Sequence, residues 1–286
     1  MVSSRCFAMA LSAMGMLVVA AGFLPQQIPP VPSKTLPEAV APAYPSAKAV
    51  VSAASGITYW VVVKPEEFDS DEGDRQLEKA EAAGETAGLQ APGAGTATGG
   101  ESYTGVARKA AKLSIANAPV QVFADLGELI ATLPSKDSMV THNPLISTGA
   151  TSSRVTEERR NVRVRCWLYA ASAESDNDFH LILGRAPGVN PKKFMTMEIS
   201  GLPPATAPSF ATLKAARDSF KAFFSSNLPA ASYDFYTPPI PVEIEGSLFF
   251  DMTHAQGTPP GPSTFRPDMP VIWEVHPITK ITFEPH

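Results

Sequence analysis

Three short motifs place a carboxylate beside a histidine where a strand-like apolar run begins or ends. The motifs are Asp178 with His180, Asp251 with His254, and Glu274 with His276. Histidine is sparse in this chain, at five of 286 residues, so the presence of three beside acids is unusual. Imidazole nitrogen and carboxylate oxygen are ligands that zinc and manganese accept, and oxygen-rich sets suit magnesium and calcium.

A divalent metal ion at these motifs would activate water for hydrolysis of a phosphodiester or an ester. The candidate catalytic residues are Asp251, His254, Glu274 and His276. The candidate metal ligands are Asp178, His180, Asp251, His254 and His276. The spacings D-x-H, D-x-x-H and E-x-H are not specific metal signatures, and H-E-x-x-H, paired C-x-x-C, G-x-S-x-G and phosphate-binding glycine loops are absent.

A structural role for the same pairs is the favoured interpretation. Residues 254–270 form a long, proline-rich stretch, and hydrogen bonds from Asp251 and His276 could hold its two ends. Asp178 could likewise organise the turn at Asp176. The two interpretations differ in geometry. A catalytic site needs three of the side chains at one point that solvent reaches, whereas a tether needs them bonded to backbone and closed off.

A second candidate surface lies on the strand-like run NVRVRCWLYAA. Its residues alternate, so Val162, Val164, Cys166 and Leu168 are predicted to face the core. The opposite face supplies charge and stacking for a ligand, through Arg163, Arg165, Trp167 and Tyr169. Residues 154–286 contain 13 Lys or Arg against 14 Asp or Glu, a balance of −1. That balance does not favour nucleic acid, because nucleic-acid affinity depends on neutralising phosphates.

Residues 151–286 predict a five-stranded OB-like Greek-key barrel. Three strand-like runs, a helical run and two further strand-like runs follow one another, which is the element order of that fold. Ser209 is a candidate N-cap for the helix, and Gly246 suits a bulge or sharp bend in the fourth strand. The apolar stripe of the helix consists of Phe210, Leu213, Phe220 and Phe224. A small α+β sandwich with the same elements is the alternative.

The N-terminal half predicts export and a smaller subdomain. Residues 1–24 have the layout of a signal peptide, with an uncleaved membrane anchor as the alternative, and residues 25–55 form a proline-rich linker. Residues 56–150 predict a small α+β subdomain. It contains a disordered acidic insertion at 64–104, where residues 64–101 alone carry ten acids against three bases. Cys166 is the only cysteine beyond the signal segment, so no internal disulfide is expected.

The stretches DNDFHLILG, GSLFFDMTH and WEVHPITKI resemble segments of a group of uncharacterised exported bacterial proteins. The resemblance covers about the C-terminal half of the chain. It implies export and an OB-like domain, and it implies no activity.

The sequence therefore predicts an exported OB-like binding domain of the periplasm, envelope or extracellular space. It would recognise a polymer or an envelope protein without catalysis, and it would contact a membrane only through its N-terminal segment. No cofactor is expected, other than a divalent metal ion in the alternative interpretation, a metal-dependent hydrolase such as a phosphodiesterase or nuclease.

Overall fold

One eight-stranded mixed sheet organises the part of the chain that the structure describes, which is residues 48–68, 100–257 and 259–285 of a computed structural model. The strands are β1 Lys48–Val51, β2 Thr58–Phe68, β3 Val120–Phe123, β4 Asn161–Ala173, β5 Phe179–Gly184, β6 Phe194–Ile199, β7 Ser232–Phe250 and β8 Trp273–Phe283. The helices are α1 Lys109–Lys112, α2 Leu126–Ala131, α3 Lys136–Val140, α4 Phe210–Phe224 and α5 Met252–Gln256. The predicted signal peptide and most of the predicted linker and acidic insertion lie outside the described residues.

Five strands of this sheet pair in a ring. Strand β4 pairs with β5, β5 with β6, β6 with β8, β8 with β7, and β7 again with β4. All these pairs are antiparallel except β6 with β8. These are the five strands predicted for residues 151–286, and α4 lies between the third and fourth of them. The predicted order of elements in this region is confirmed.

The alternation predicted for β4 is also confirmed. Val162, Val164, Cys166 and Leu168 are all buried in the main hydrophobic core. Burial raises the pKa of the Cys166 thiol, so this cysteine is a small core residue, as its apolar surroundings predict.

Gly246 lies where the pairing between β7 and β8 changes register, as its sequence position predicts. A side chain at this position would overlap the Pro277 carbonyl and the Val275 side chain. The close approach of the two backbones therefore requires glycine. The 19-residue strand β7 pairs with β4, β2 and β8.

Helix α4 packs against β8, and the Phe223 and Phe283 rings stack with their centroids 3.9 Å apart. Ser209 occupies the predicted N-cap position, but its side chain makes no capping hydrogen bond. The hydroxyl instead donates to the Leu113 carbonyl at 2.7 Å. The capping prediction is wrong in this respect, because a tertiary acceptor 96 residues away competes with the helix N-terminus.

The strands outside the ring extend the same sheet. Strand β2 pairs with β7, β1 pairs with β2, and β3 lies parallel to β4. Strand β1 was not predicted, and it lies within the stretch interpreted as linker, whereas β2 continues to Phe68, inside the predicted acidic insertion. None of the helices in the described ranges has the length and apolar character needed to span a membrane.

Candidate functional site

Four ionisable side chains share one face of the sheet where β5, β6 and β8 meet. His180 lies directly opposite Glu198 in the β5–β6 pair. Met197 aligns with Val275 in the β6–β8 pair. Because side chains alternate along a strand, Glu198 therefore shares its face with the neighbours of Val275, which are Glu274 and His276.

The chain covers this face rather than exposing it. Lys112 of α1 is buried, which alone would lower its pKa, but interactions with Tyr103, Glu198 and nearby aspartates raise that pKa above its ordinary value. Arg154 holds α1 in place, because its guanidinium donates hydrogen bonds to the carbonyls of Ala111 and His276 at 2.8 and 2.6 Å. The ionisable cluster is consequently closed on the side that faces away from the main core.

His276 lies between two carboxylates. Its Nδ1 is 2.8 Å from a Glu198 oxygen, and its Nε2 is 3.4 Å from an Asp178 oxygen. Burial alone would lower the pKa of His276, but the Glu198 charge raises it above its ordinary value. Burial would likewise raise the pKa of Glu198, but the charges of His276 and Lys112 hold it well below its usual range. The contact between His276 and Glu198 therefore opposes the effect of burial on both pKa values.

Glu198 was missed by sequence reasoning. It stands alone in the run FMTMEIS, with no histidine or second acid nearby in the sequence. Its only signal is a charged residue in a strand whose other side chains are apolar or small. Such a residue is rarely buried unless it is paired, but its partners come from β5 and β8.

Asp251 and His254 form a local tether at the end of β7. Asp251 is the N-cap of α5, where its carboxylate accepts hydrogen bonds from the Thr253 and His254 backbone N–H groups at 2.7 and 3.1 Å. Its other oxygen is 2.6 Å from His254 Nδ1. Burial would raise the pKa of Asp251, but the charge and hydrogen bonds of His254 hold it well below its usual range. The arrangement matches the structural role predicted for Asp251.

Replacing Asp251 with alanine is expected to lower the free energy of unfolding by about 1–2 kcal/mol, because both the helix cap and the pair with His254 are lost. Asparagine can still accept the two backbone hydrogen bonds, so Asp251→Asn is expected to cost about half as much. Urea unfolding of the two variants beside wild type measures this. Equal losses for alanine and asparagine would contradict a capping role.

The predicted roles of two other residues need correction. His276 does not hold the proline-rich loop, because its ring faces Glu198 and Asp178 and its carbonyl accepts from Arg154. At the turn before β5, the Asp176 carboxylate accepts from the Asp178 N–H at 3.1 Å. Asp178 itself accepts from the Gly201 N–H instead. Both differences arise because partners from β6 and β8 reach these side chains.

Neither carboxylate oxygen of Glu274 accepts a hydrogen bond in the described part of the chain. Its side chain is 0% exposed, and one of its oxygens lies 3.6 Å from His276 Nδ1. Burial, together with the Glu198 charge, raises the pKa of Glu274 to about 8. Asp178 shows the same effect, since burial and the nearby Asp176 and Glu198 raise its pKa well above the usual value.

Three overlapping sets of these side chains could hold a metal ion, because their ligand atoms lie within 4.8 Å of one another. The sets are Asp178 with Glu198 and His276, His180 with Glu198 and Glu274, and Asp251 with His254 and Glu274. The motifs predicted from the sequence therefore do meet in space. All seven side chains are buried, however, and a hydrolytic metal site needs an open position for water and substrate. The closed arrangement favours a structural role over hydrolysis.

The residues predicted for binding lie on the outer face of β4, but two of them form ion pairs with neighbouring glutamates. Arg163 donates to Glu245 of β7 at 2.7 Å, and the Arg165 guanidinium is 3.5 Å from Glu243. These cross-strand ion pairs stabilise the β4–β7 register. Trp167 is half-buried opposite Pro241.

Tyr169 instead lines a pocket between the β5–β6 loop and the segment that precedes β8. The pocket has a volume of about 300 Å³, at the lower end of the range of about 300–1,000 Å³ that is typical of small-molecule sites. Its principal side chains are Tyr169, Arg185, Lys192, Lys193, Phe194, Phe265 and Asp268. Of these, only Tyr169 was predicted, because the others become neighbours only when two distant loops converge.

No protein-family model, curated protein or solved structure matches this chain. The predicted resemblance to exported bacterial proteins therefore stays a prediction.

Proposed function

We propose that this chain is an exported, OB-like binding domain that recognises a segment of an anionic polysaccharide in the Tyr169 pocket, without catalysis. The ring of pairings among β4, β5, β6, β8 and β7, with α4 between β6 and β7, supports the OB-like Greek-key assignment. Export is supported by the signal-like composition of residues 1–24. The single observation that carries the proposal is the combination of aromatic rings and lysines around one pocket.

The aromatic part of the pocket is a preformed cluster. Tyr169 packs edge-on against Phe194 and Phe265, with centroids 4.9 and 5.7 Å away, and the two phenylalanine rings are 4.6 Å apart. The Tyr169 hydroxyl donates to the Arg185 carbonyl at 2.8 Å, which fixes the ring. A rigid aromatic surface is suited to the apolar face of a sugar ring, because little conformational entropy is lost on binding.

The charged part of the pocket favours an anionic ligand. Arg185 is neutralised by Asp125 at 2.8 Å. Lys192 and Lys193 form no ion pair within the described ranges, and together they outnumber Asp268. The pocket is therefore positive by one charge, while residues 154–286 as a whole carry −1. A local positive pocket on a near-neutral surface favours a short acidic unit over a long phosphate backbone.

Binding of polygalacturonate oligomers, measured by isothermal titration calorimetry, tests this function. We expect wild type to bind them and to bind neutral dextran oligomers weakly. Exchanging Lys192 and Lys193 for glutamate should weaken binding at least about tenfold, since two attractive charges become repulsive. Lys280→Glu is the matched control, because Lys280 is exposed on β8 outside the pocket.

Three outcomes would overturn the proposal. These are no binding of polygalacturonate by wild type, equal binding by the double glutamate variant, and tighter binding of a thymidine oligonucleotide than of the uronate polymer. Tyr169→Ala gives an independent readout. Loss of the ring should weaken polygalacturonate and the residual dextran binding alike, because stacking does not depend on ligand charge.

A further inference from the structure

His180, Glu198 and Glu274 bring one imidazole and two carboxylates together from three different strands, β5, β6 and β8. We propose that these three side chains bind one divalent transition-metal ion, for which Zn²⁺ is the best match, as a buried cross-link between the strands. This inference does not depend on the proposed polysaccharide site, which uses other residues.

The three ligand atoms lie near the spacing that a zinc ion requires. The ligand atoms of the three residues lie within 4.8 Å of one another. Tetrahedral zinc with ligands at about 2.0–2.2 Å needs ligand atoms about 3.3–3.6 Å apart. The ligand atoms would therefore have to approach one another by about 1 Å to close around an ion.

Glu274 supplies an independent indication of a ligand. Its side chain is 0% exposed, and neither of its oxygens accepts a hydrogen bond within the described residues. Its contact with His276 Nδ1 is long, at 3.6 Å. A buried carboxylate that accepts no hydrogen bond is costly, and native structures rarely tolerate one without a functional reason. A cation between Glu274, Glu198 and His180 would satisfy these oxygens directly.

The surroundings of His180 resemble the outer shell of a metal site. Its Nε2 faces the cluster, 3.8 Å from a Glu198 oxygen. On the other side of the ring, Nδ1 is 3.3 Å from the Tyr233 hydroxyl and 3.9 Å from a Glu174 oxygen. Metal-binding histidines commonly use the second nitrogen in this way, which fixes the ring orientation and leaves Nε2 as the ligand.

The other two candidate sets of metal ligands, one with Asp251 and His254 and one with Asp178 and His276, are less suitable for binding an ion. Asp251 and His254 already bond to each other at 2.6 Å and to the backbone of α5. His276 is held by Glu198 and Asp178, so it can orient Glu198 as an outer-shell partner. The two glutamates supply two carboxylates for a divalent ion, while Asp251 and Asp176 lie near Lys112.

The test uses the full chain after removal of metal with a chelator, followed by calorimetric titration with Zn²⁺ and with Mg²⁺. We expect one Zn²⁺ per chain, weak Mg²⁺ binding, and a higher melting temperature with Zn²⁺, because an ion that binds only the folded state stabilises it. Glu274→Gln should weaken Zn²⁺ binding about 100-fold, since it removes an anionic ligand without changing shape.

Two control variants separate this site from its surroundings. Glu245→Gln removes a carboxylate on β7 that pairs with Arg163, and it should leave Zn²⁺ binding unchanged. Asp251→Asn alters the neighbouring candidate set, which contains Asp251, His254 and Glu274. It should weaken Zn²⁺ binding far less than Glu274→Gln does. If instead Asp251→Asn abolishes binding while Glu274→Gln retains it, the assignment is overturned.

A spectroscopic readout keeps the test decisive if Glu274→Gln does not fold. Co²⁺ added to wild type should give visible absorption of a four- or five-coordinate site, and Zn²⁺ should displace it. Absence of stoichiometric Zn²⁺ and Co²⁺ binding by wild type would overturn the proposal. Failure of this metal site would leave polygalacturonate binding unaffected, so the two proposals can be tested separately.

Discussion

Replacing Glu158 with alanine is expected to lower the free energy of unfolding by about 3–5 kcal/mol, because it leaves the Arg108 guanidinium buried without its counter-ion. Arg108 is 2% exposed and Glu158 is 0% exposed. Two parallel hydrogen bonds of 2.6 and 2.8 Å join them. Breaking one side of a buried pair costs much more than the pair itself contributes, since the remaining charge stays desolvated.

The Glu158 carboxylate also organises the backbone around it. It accepts hydrogen bonds from the Phe250 N–H at 2.9 Å and from the Val155 N–H at 2.8 Å. Arg108 in turn donates to the Phe250 carbonyl at 3.1 Å. The pair therefore fastens the residues before α1 to the end of β7, next to the ionisable cluster, and alanine would leave several polar groups unsatisfied at once.

Urea unfolding at neutral pH measures this loss. The matched control is Glu157→Ala, because Glu157 is adjacent in sequence but is 35% exposed and, among the described residues, pairs with His142 at the surface. Its expected cost is below about 1 kcal/mol. A Glu158→Ala variant as stable as Glu157→Ala would mean that the buried pair does not hold this part of the fold.

Replacing Asp234 with asparagine is expected to stabilise the protein by about 3 kcal/mol at pH 8 and to have little effect near pH 4. Asp234 lies in β7, is 1% exposed, and neither of its oxygens accepts a hydrogen bond in the described residues. Burial raises its pKa from 3.8 to about 6, although Lys48 opposes the shift.

The sign of the effect follows from proton linkage. Between pH 3.8 and about 6 the unfolded chain has lost the Asp234 proton, whereas the folded chain retains it. The stability contributed by this group is therefore complete below pH 3.8 and is lost as the pH rises through 6. Asparagine is neutral in both the folded and the unfolded chain, so the stability of the variant does not fall as the pH rises through this range.

Unfolding midpoints of wild type and Asp234→Asn at pH 4, 6 and 8 give the comparison. Asp218→Asn is the control, because Asp218 lies on the exposed side of α4 and pairs with Lys214 at the surface. A stabilisation by Asp234→Asn of the same size at pH 4 and pH 8 would show that the gain does not arise from ionisation of Asp234.

Local patterns were sufficient to predict the ring strands and α4. The alternation of Val162, Val164 and Cys166 places a strand with one buried face, because side chains change sides at every residue. Gly246 marked the bend in β7 by the same kind of local signal. The Asp251–His254 tether was also predictable, because its members are three residues apart and meet within one helical turn.

Only the tertiary structure shows which side chains contact partners that are distant in the sequence. Glu198 joined the cluster because β6 pairs with both β5 and β8, and nothing in its own neighbourhood encodes those registers. Arg108 and Glu158 are 50 residues apart in the sequence, and the Ser209 hydroxyl donates to the Leu113 carbonyl, 96 residues away. Sequence periodicity determines which face of an element is buried. The partner on that face depends on strand pairing between distant segments, which a local pattern does not contain.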